Sequence, residues 1–231
     1  VAEVAWSVRG SKDWPSFLKS LDNYLNHLDA KGIIYAKSMY NIQHKVVPAD
    51  NKLKVKLECE RPDVEIRYTL DGTEPIGTSP IYNQDLLISD NVLLQAATFV
   101  NGKQKGKKLI LPLQWNKATA KKLQGLPKEA EILLNGVHGS LKQTDFEWYT
   151  GEMSKPISFT IDLLKSEKIS KCAVGCITNY GMGVHKPRKM KVEISEDNQS
   201  FTTIGERNYT DTEIFKEGNF IEELKIEVQN A

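Results

Sequence analysis

The chain has 231 residues, 40% hydrophobic and 26% charged, which is ordinary for globular protein and long enough for two domains. Its 31 basic and 30 acidic residues leave a formal net charge of +1, so no overall field attracts it to nucleic acid or anionic membranes. No stretch approaches the roughly 20 apolar residues of a membrane-spanning helix, and the opening "VAEVAWSVRG" lacks the pattern of a signal peptide.

The first predicted element is an amphipathic helix. Its apolar residues recur at three- and four-residue steps: Trp14, Phe17, Leu18, Leu21, Leu25 and Leu28. Asp13 suits the N-cap, Pro15 the first turn and Gly32 the end of this helix. One helix is not a domain, and the chain starts at Val1 without Met. We therefore expect the helix to be the last element of a larger fold, or to pack on the residues that follow.

The pattern then changes to the two-residue period of strands. The expected strand positions are Leu53, Val55 and Leu57, then Val64, Ile66, Tyr68 and Leu70, then 92–100 and 109–113. Asn101-Gly102 is a strong hairpin signal between the last two runs. Several short strands with turns between them predict a small antiparallel sandwich.

A second strand-rich region follows the stretch "QWNKATAKKLQGLPKEAEILLNG". Alternation predicts strands at Ile157–Ile161, at Val192 and Ile194, and along the final "IEELKIEVQNA", and "SEDNQS" predicts a turn. Cys59, Cys172 and Cys176 are an odd number, and the last two would lie roughly 13 Å apart on one strand, so we expect buried free thiols.

Recognisable catalytic motifs are absent from the sequence. His27, His44, His138 and His185 are scattered without a helical His pair or a Cys-x-x-Cys, which argues against zinc. No Gly-x-Ser-x-Gly elbow and no phosphate-binding glycine loop occur.

The stretch "IRYTLDGTEP" places Asp71 and Glu74 directly after a predicted strand. The two acids could be a catalytic carboxylate pair, part of a metal site, or part of a structural turn. A calcium loop needs more oxygen ligands at alternate positions, and two glycosidase carboxylates flank a bond from opposite sides. Asp71-Gly72 is therefore interpreted as a turn in which Asp71 binds the local backbone.

The segment "VEIRYTLDGTEPIGTSPIYNQDLLISDNVLLQAATFVNGKQKGK" resembles the accessory domain C-terminal to the catalytic barrel of bacterial family-20 β-N-acetylhexosaminidases, or chitobiases. In that family the Tyr-Thr-x-Asp-Gly-Thr-x-Pro turn is structural. The preceding "AEVAWSVRGSKDWPSFLKSLDNYLNHLDAKGIIYA" is similar to the closing helical segment of the barrel. The third region resembles a discoidin domain (coagulation factor V/VIII type C) in "LLNGVHGS", "FEWYTG", "SFTIDL" and "KPRKMKVEISEDNQSFTTIG". Family members continue past "IEELKIEVQ", so we expect this domain to be incomplete.

The resemblance implies a parent enzyme that hydrolyses terminal N-acetylhexosamines by substrate assistance, with an adjacent Asp and Glu. No Asp-Glu dipeptide occurs in this chain, so we expect no catalytic residue and no glycosidase activity in it. Glu3 and Trp6 resemble active-site residues, but the matching segment lies on the helix side of the barrel, which favours core packing for Trp6.

Carbohydrate binding is the function that the discoidin-like region (115–231) could have. Discoidin-like modules stack an aromatic ring on a sugar and fix its hydroxyls with polar side chains. The candidates lie in predicted loops and their flanks: Trp148, Tyr149, Asn179, Tyr180, His185 and Arg188. The alternative is that Trp148 is a core residue and His185 an ordinary surface residue.

No cofactor is expected. Calcium is common in discoidin-like domains, but Asn135 stands where the family usually has Asp, which weakens a calcium site. The basic clusters at 103–108 and 186–191 lack interleaved aromatic residues and are interpreted as solvated turns and strand faces, not as nucleic-acid sites.

The expected fold is mainly β: an immunoglobulin-like sandwich (44–114) and a discoidin, galactose-binding-like jelly roll (115–231), preceded by a barrel-derived helix (1–43). The expected function is the non-catalytic C-terminal part of an exported bacterial β-N-acetylhexosaminidase, periplasmic, outer-membrane-associated or secreted. Its expected partners are the catalytic barrel and a terminal N-acetylhexosamine or galactose-type glycan. The alternatives are a binding or adhesion module of a cell-surface protein without a hydrolase, and a spacer without a ligand.

Overall fold

The computed structural model describes residues 10, 13–144, 147–151 and 155–228, and within them the chain is mainly β, as predicted. The sequence expectations for Glu3, Trp6 and Phe146 lie outside these residues. The helices are α1 (Trp14–Ala30) and the short α2 (Asp211–Ile214), and 3₁₀ turns lie at Ser38–Tyr40, Lys128–Leu134 and Tyr180–Met182. The strands are β1 (Gln43–Ala49), β2 (Lys52–Glu58), β3 (Glu65–Thr69), β4 (Leu86–Ile88), β5 (Val92–Val100), β6 (Lys103–Gln104), β7 (Leu109–Leu113), β8 (Lys122–Gln124), β9 (Thr160–Asp162), β10 (Lys171–Asn179), β11 (Lys189–Ile194), β12 (Thr202–Asn208) and β13 (Asn219–Glu227).

Two compact units divide the described chain. Unit 1 comprises the described residues up to His44, together with Leu57–Asn83 and Leu94–Ile110. Unit 2 comprises Lys45–Lys56, Gln84–Leu93 and the described residues from Leu111 onward. Each unit is described separately below.

The predicted helix is confirmed as α1 of unit 1. The side chain of Asp13 accepts a hydrogen bond from the backbone N–H of Ser16, which satisfies a donor that the first turn leaves free. The apolar stripe of α1 packs on residues that follow it in the chain: Leu18 and Leu25 form a buried cluster with Met39 and Tyr40. The helix therefore belongs to the core of unit 1.

A polar network also holds α1 within unit 1. The Tyr40 hydroxyl donates to Asp22 of the helix at 2.6 Å. The Arg61 side chain is almost fully buried, donates to the Leu18 carbonyl at 3.2 Å, and is paired with Asp63 and Asp22. Since two carboxylates neutralise this buried guanidinium, its desolvation is compensated within the network.

The strands of unit 1 form an antiparallel arrangement. β3 pairs with β5 from Glu65 opposite Phe99 to Thr69 opposite Gln95, and β5 pairs with β6 across the predicted hairpin. Asn101 and Gly102 have φ angles of 49° and 71°, which confirms the expected tight turn, because a type I′ hairpin requires positive φ at both positions.

Unit 2 begins within β1, which pairs with the predicted strand β2; Leu53 and Val55 of β2 are fully buried and pair with β4. Three further antiparallel pairs follow: β8 with β9, β10 with β13, and β11 with β12. A small core of Tyr209, Ile214 and Leu224, with Cys176 and Met190 packed against it, lies among the last strands.

One predicted strand is shorter than expected. The alternation from Ile157 to Ile161 indicated a strand along that whole run, but β9 begins only at Thr160. Its partner β8 offers three residues before Gly125, whose φ of 91° turns the chain away, so a longer pairing has no partner. Ile157 is consequently half exposed.

Candidate functional site

The Asp71 turn of unit 1 is built from local hydrogen bonds. The Asp71 carboxylate accepts from the Thr73 N–H at 3.0 Å and from the Thr73 hydroxyl at 2.6 Å, which confirms the predicted bond to the local backbone. These bonds hold the pKa of Asp71 below its usual value. Glu74 points to Lys108 instead, with 3.1 Å between its Oε1 and the lysine Nζ. The two carboxylates therefore have separate partners.

The chain reverses between β3 and the segment that returns alongside it. The Tyr68 N–H donates to the Pro80 carbonyl at 3.1 Å, and the Tyr82 N–H donates to the Ile66 carbonyl at 2.7 Å. The Asp71 turn lies within this reversal. Its hydrogen bonds support a structural interpretation of Asp71.

Unit 1 also has an open cavity of 470 Å³. Its walls include Leu57, Tyr82, Glu58, Glu60 and the Arg61 described above. The Tyr82 hydroxyl accepts from the Leu57 N–H at 3.1 Å, which fixes the ring in the wall. None of the candidate residues identified from the sequence lies in this cavity.

The C-terminal candidates meet on the surface of unit 2 in a cluster of three rings. The Tyr180 and His185 rings form a T-shaped contact with 5.9 Å between their centroids. The His185 and Phe215 rings form a second T-shaped contact, with 5.0 Å between their centroids. Tyr180 and Phe215 are each 46% exposed, while His185 is half-buried between them. We call Tyr180, His185 and Phe215 the ring cluster. It presents two accessible aromatic surfaces, which is the chemistry that stacks on the apolar face of a sugar.

Polar groups border the ring cluster. The Arg188 guanidinium lies 5.7 Å from the Phe215 ring centroid and forms an ion pair with Asp211 at 2.5 Å. Both side chains are exposed, so their donors and acceptors are accessible to a ligand. Asn179 ends β10 at the base of the cluster, where its backbone exchanges two hydrogen bonds with Val184. Planar guanidinium and carboxylate groups are well suited to fixing hydroxyls.

Trp148 has different contacts. Its indole N–H donates to the Ser140 carbonyl at 2.8 Å, and its ring lies against Gly139 so closely that a side chain there would overlap it. The neighbouring Leu141 carbonyl accepts from Asn219, the cross-strand partner of Asn179, at 3.4 Å. The loop with the half-buried Trp148 and Tyr149 thus contacts the strand beside the ring cluster.

Sequence reasoning missed Phe215 and Asp211, which come from a separate part of the chain. Asp211 is the first residue of α2 and Phe215 follows its last residue; the capping box of α2 has Thr210 accepting from the Glu213 N–H and Glu213 accepting from the Thr210 N–H. Thr-x-x-Glu is a recognisable signal for a helix start. It could have placed a short helix at 211, but not its proximity to Tyr180.

A buried polar group lies behind the ring cluster. Lys186 has a side chain only 7% exposed, and its Nζ lies 2.9 Å from Glu222 Oε2 and 5.0 Å from the centroid of the Tyr209 ring. Cys176 is the cross-strand partner of Glu222, and burial, with a contribution from Glu222, raises the pKa of its thiol to about 11. Burial also raises the pKa of Tyr209. Lys186 thus points inward from the segment whose other residues form the candidate surface.

Metal binding finds no support in the described residues, which contain no group of three His, Cys, Asp or Glu side chains able to hold an ion. Asn135 is buried, accepts from the Val137 N–H at 2.9 Å and contacts the Val46 carbonyl at 3.5 Å. The Asn135 side chain therefore stabilises the turn in which it lies. All three cysteines are free, as expected, and each is half-buried.

Within the described ranges, no helix is long and apolar enough to cross a membrane.

The middle of the chain matches a known family. Residues 49–109 match the sequence model described as the chitobiase/beta-hexosaminidase C-terminal domain. A beta-hexosaminidase of Porphyromonas gingivalis (strain ATCC BAA-308 / W83) is 32% identical over 105 residues. This match covers 44% of the chain and only 13% of that protein. The chain is therefore similar, over part of its length, to the C-terminal domain of a hexosaminidase.

Proposed function

We propose that this chain is the non-catalytic C-terminal part of a family-20 β-N-acetylhexosaminidase, and that it supports the catalytic barrel and directs it to carbohydrate. The observation that supports the assignment to a hexosaminidase is the family match over residues 49–109. The ring cluster with its polar border is the observation that favours carbohydrate. The proposed divisions are a barrel-derived segment (1–43), an immunoglobulin-like domain (44–114) and a discoidin-like domain (115–231). The proposed location is periplasmic, outer-membrane-associated or secreted.

Catalysis is proposed to reside outside these 231 residues. The substrate-assisted mechanism of the family uses an adjacent Asp and Glu, and the sequence contains no Asp-Glu dipeptide. Asp71 and Glu74, the acids that most resemble a pair, are bound to Thr73 and Lys108. Incubation with a chromogenic N-acetyl-β-glucosaminide is expected to release no more dye than buffer. Turnover that follows the protein through a second purification would refute this assignment.

The proposed carbohydrate site is the ring cluster of unit 2. Tyr180 and Phe215 supply exposed ring surface, and Asn179, Arg188 and Asp211 supply groups for hydroxyls. Shallow sites of this kind hold a sugar by one or two stacking contacts, so the loss of one ring removes much of the affinity. The proposed ligand is a terminal N-acetylhexosamine or a galactose-type glycan. Trp148 and Tyr149 are proposed as neighbouring contacts for a longer glycan.

The test compares two exposed aromatic residues of unit 2. Tyr180→Ala removes a ring of the cluster. Phe201→Ala is the control: it removes a ring of similar exposure (43% against 46%) that follows the turn in which Asp197 accepts from the Gln199 N–H. In a glycan-array screen followed by calorimetric titration, we expect at least tenfold weaker binding by Tyr180→Ala and unchanged binding by Phe201→Ala. Equal binding by both variants and the wild type would reject the ring cluster as the site.

The rival function is a binding module of a cell-surface protein without a hydrolase. The ring cluster is compatible with it, because glycan binding requires no attached enzyme. The reading frame of the parent gene separates the two functions: a barrel with an adjacent Asp and Glu supports the enzyme, and a further β module in its place supports the rival.

A further inference from the structure

We propose that the ion pair between the buried Lys186 and the partly buried Glu222 is a latch that fixes the segment bearing Tyr180, His185 and Arg188, and that Lys186 is a positioning residue for the surface they form. The second part rests on the proposed glycan site. The first part concerns the fold alone and is testable without any sugar.

The position of Lys186 in its segment is the first observation. The chain leaves β10 at Asn179, passes through the Tyr180–Met182 turn and enters β11 at Lys189. Within these connecting residues, His185 and Arg188 contact Phe215, whereas the Lys186 side chain is buried. One inward side chain thus lies between two that form the surface.

The partner of Lys186 is fixed in a strand. Glu222 belongs to β13, which pairs with β10 along nine residues, from Lys171 opposite Glu227 to Asn179 opposite Asn219. Such a ladder is among the more rigid parts of a small fold. The 2.9 Å bond from Lys186 Nζ to Glu222 Oε2 therefore ties the connecting segment to the sheet.

The energetics argue that this pair does not serve stability alone. Burying an ammonium and a carboxylate costs desolvation that their attraction repays only when their remaining hydrogen-bonding groups are satisfied. Within the described part of the chain, Glu222 Oε1 and the Tyr209 hydroxyl are buried without a hydrogen-bond partner. Two apolar side chains would fill the same space at no net cost in stability. Such a replacement would remove the directional bond between Lys186 and Glu222, and with it the fixed position of the segment.

The segment carries its own probes of this effect. The N–H of Tyr180 donates to the Gly218 carbonyl at 3.0 Å, and the N–H groups of Gly183 and Val184 donate to Tyr180 and Asn179 at 3.1 Å each. These three amides exchange with solvent only when the segment opens. Their exchange rates therefore report on the latch directly.

The experiment measures amide hydrogen exchange and thermal melting of the full chain with the double variant Lys186→Met/Glu222→Leu. We expect the melting temperature to stay within about 3 °C of wild type while the three amides exchange at least tenfold faster and the β10–β13 amides are unchanged. The single variant Lys186→Met, which leaves the partly buried Glu222 without its cation, is expected to melt below both.

Lys189→Met is the matched control. Lys189 is paired with Glu206 at 2.8 Å, much as Lys186 is with Glu222, but both side chains of this pair are solvent-accessible. Surface pairs contribute little, so neither the melting temperature nor the three exchange rates should change. Exchange in the double variant within twofold of wild type overturns the latch, as does an equal acceleration in Lys189→Met.

The positioning role is read out separately with N-acetylglucosamine and galactose as probes. If the wild-type chain binds either sugar, the stable double variant should bind it at least tenfold more weakly. Unchanged affinity with a loosened segment would overturn the positioning role. If the wild-type chain binds neither sugar, the glycan site and the positioning role fail together, while the exchange result still decides the latch.

Discussion

Replacing Gly136 by Ala tests how tightly the turn after the Lys128–Leu134 segment is packed in unit 2. Gly136 has a φ of 69°, and a Cβ there would lie 2.5 Å from the Gln114 carbonyl oxygen and 3.1 Å from Leu53 Cδ1. The Gln114 N–H also donates to the Gly136 carbonyl at 2.8 Å, so the two backbones are held together. A methyl group must push apart two hydrogen-bonded segments.

The magnitude has two parts. The left-handed conformation costs an alanine about 1–2 kcal/mol, and forcing a methyl group into a packed site adds about 1–3 kcal/mol. Gly183→Ala isolates the first part, because Gly183 has nearly the same φ, 68°, and its added methyl meets no described atom within 4 Å. We therefore expect losses of about 2–5 kcal/mol for Gly136→Ala and about 1–2 kcal/mol for Gly183→Ala.

Urea unfolding followed by tryptophan fluorescence measures both losses under the same conditions. The slope of the transition should be the same for the wild type and both variants, so that differences between their midpoints report differences in the free energy of unfolding. A Gly136→Ala midpoint equal to that of Gly183→Ala would refute the close packing argued here.

Three further predictions concern other residues. The pKa of Asp71 is lowered, so its contribution is fully present above pH 3.8 and lost as the pH falls through the folded-state value; by calorimetry, Asp71→Ala should melt lower than wild type at pH 7, and this difference should shrink as the pH falls below 3.8. Cys176 should react with iodoacetamide much more slowly in the native chain than in urea at pH 8, because burial raises its pKa to about 11; equal rates would contradict this. Arg61→Met should lose about 1–3 kcal/mol in urea unfolding, since it removes the buried cation that binds the Leu18 carbonyl, Asp63 and Asp22; a loss below about 0.5 kcal/mol would show that the network is dispensable.

Local chemistry made parts of the fold predictable. The helix α1 follows from the spacing of Phe17, Leu21 and Leu25 and from the Asp13 cap, since both act within one or two turns. Asn101-Gly102 determines its own turn because few other residues accept positive φ. Such features need no knowledge of distant contacts.

Other features depend on partners far along the chain. The start of β9 is set by β8, some 36 residues earlier, and no property of Ile157 itself reveals that β8 offers it no partner. Lys186 lies in a basic run that we interpreted as solvated, yet this lysine is buried against Glu222, which is 36 residues away. The sequence-based interpretation was wrong for Lys186, because a charge of opposite sign on another strand changes what burial costs.

The candidate site shows the same division. The residues expected from the loop "TNYGMGVHKPR" do lie together, because they share one connection between strands. Phe215 completes the cluster from the connection between β12 and β13, which only the folded chain brings near.

The short helix α2 has a consequence for how such a surface can evolve. Its capping box stabilises four residues internally, and Phe215 follows as the first residue of an exposed connection that leads to β13. Mutations or short insertions between Phe215 and Gly218 therefore alter the outward-facing chemistry while the β10–β13 ladder keeps its register. Natural variants of this chain are expected to diversify at these positions first, so that related proteins differ in the exposed side chains beside the ring cluster while they share one scaffold.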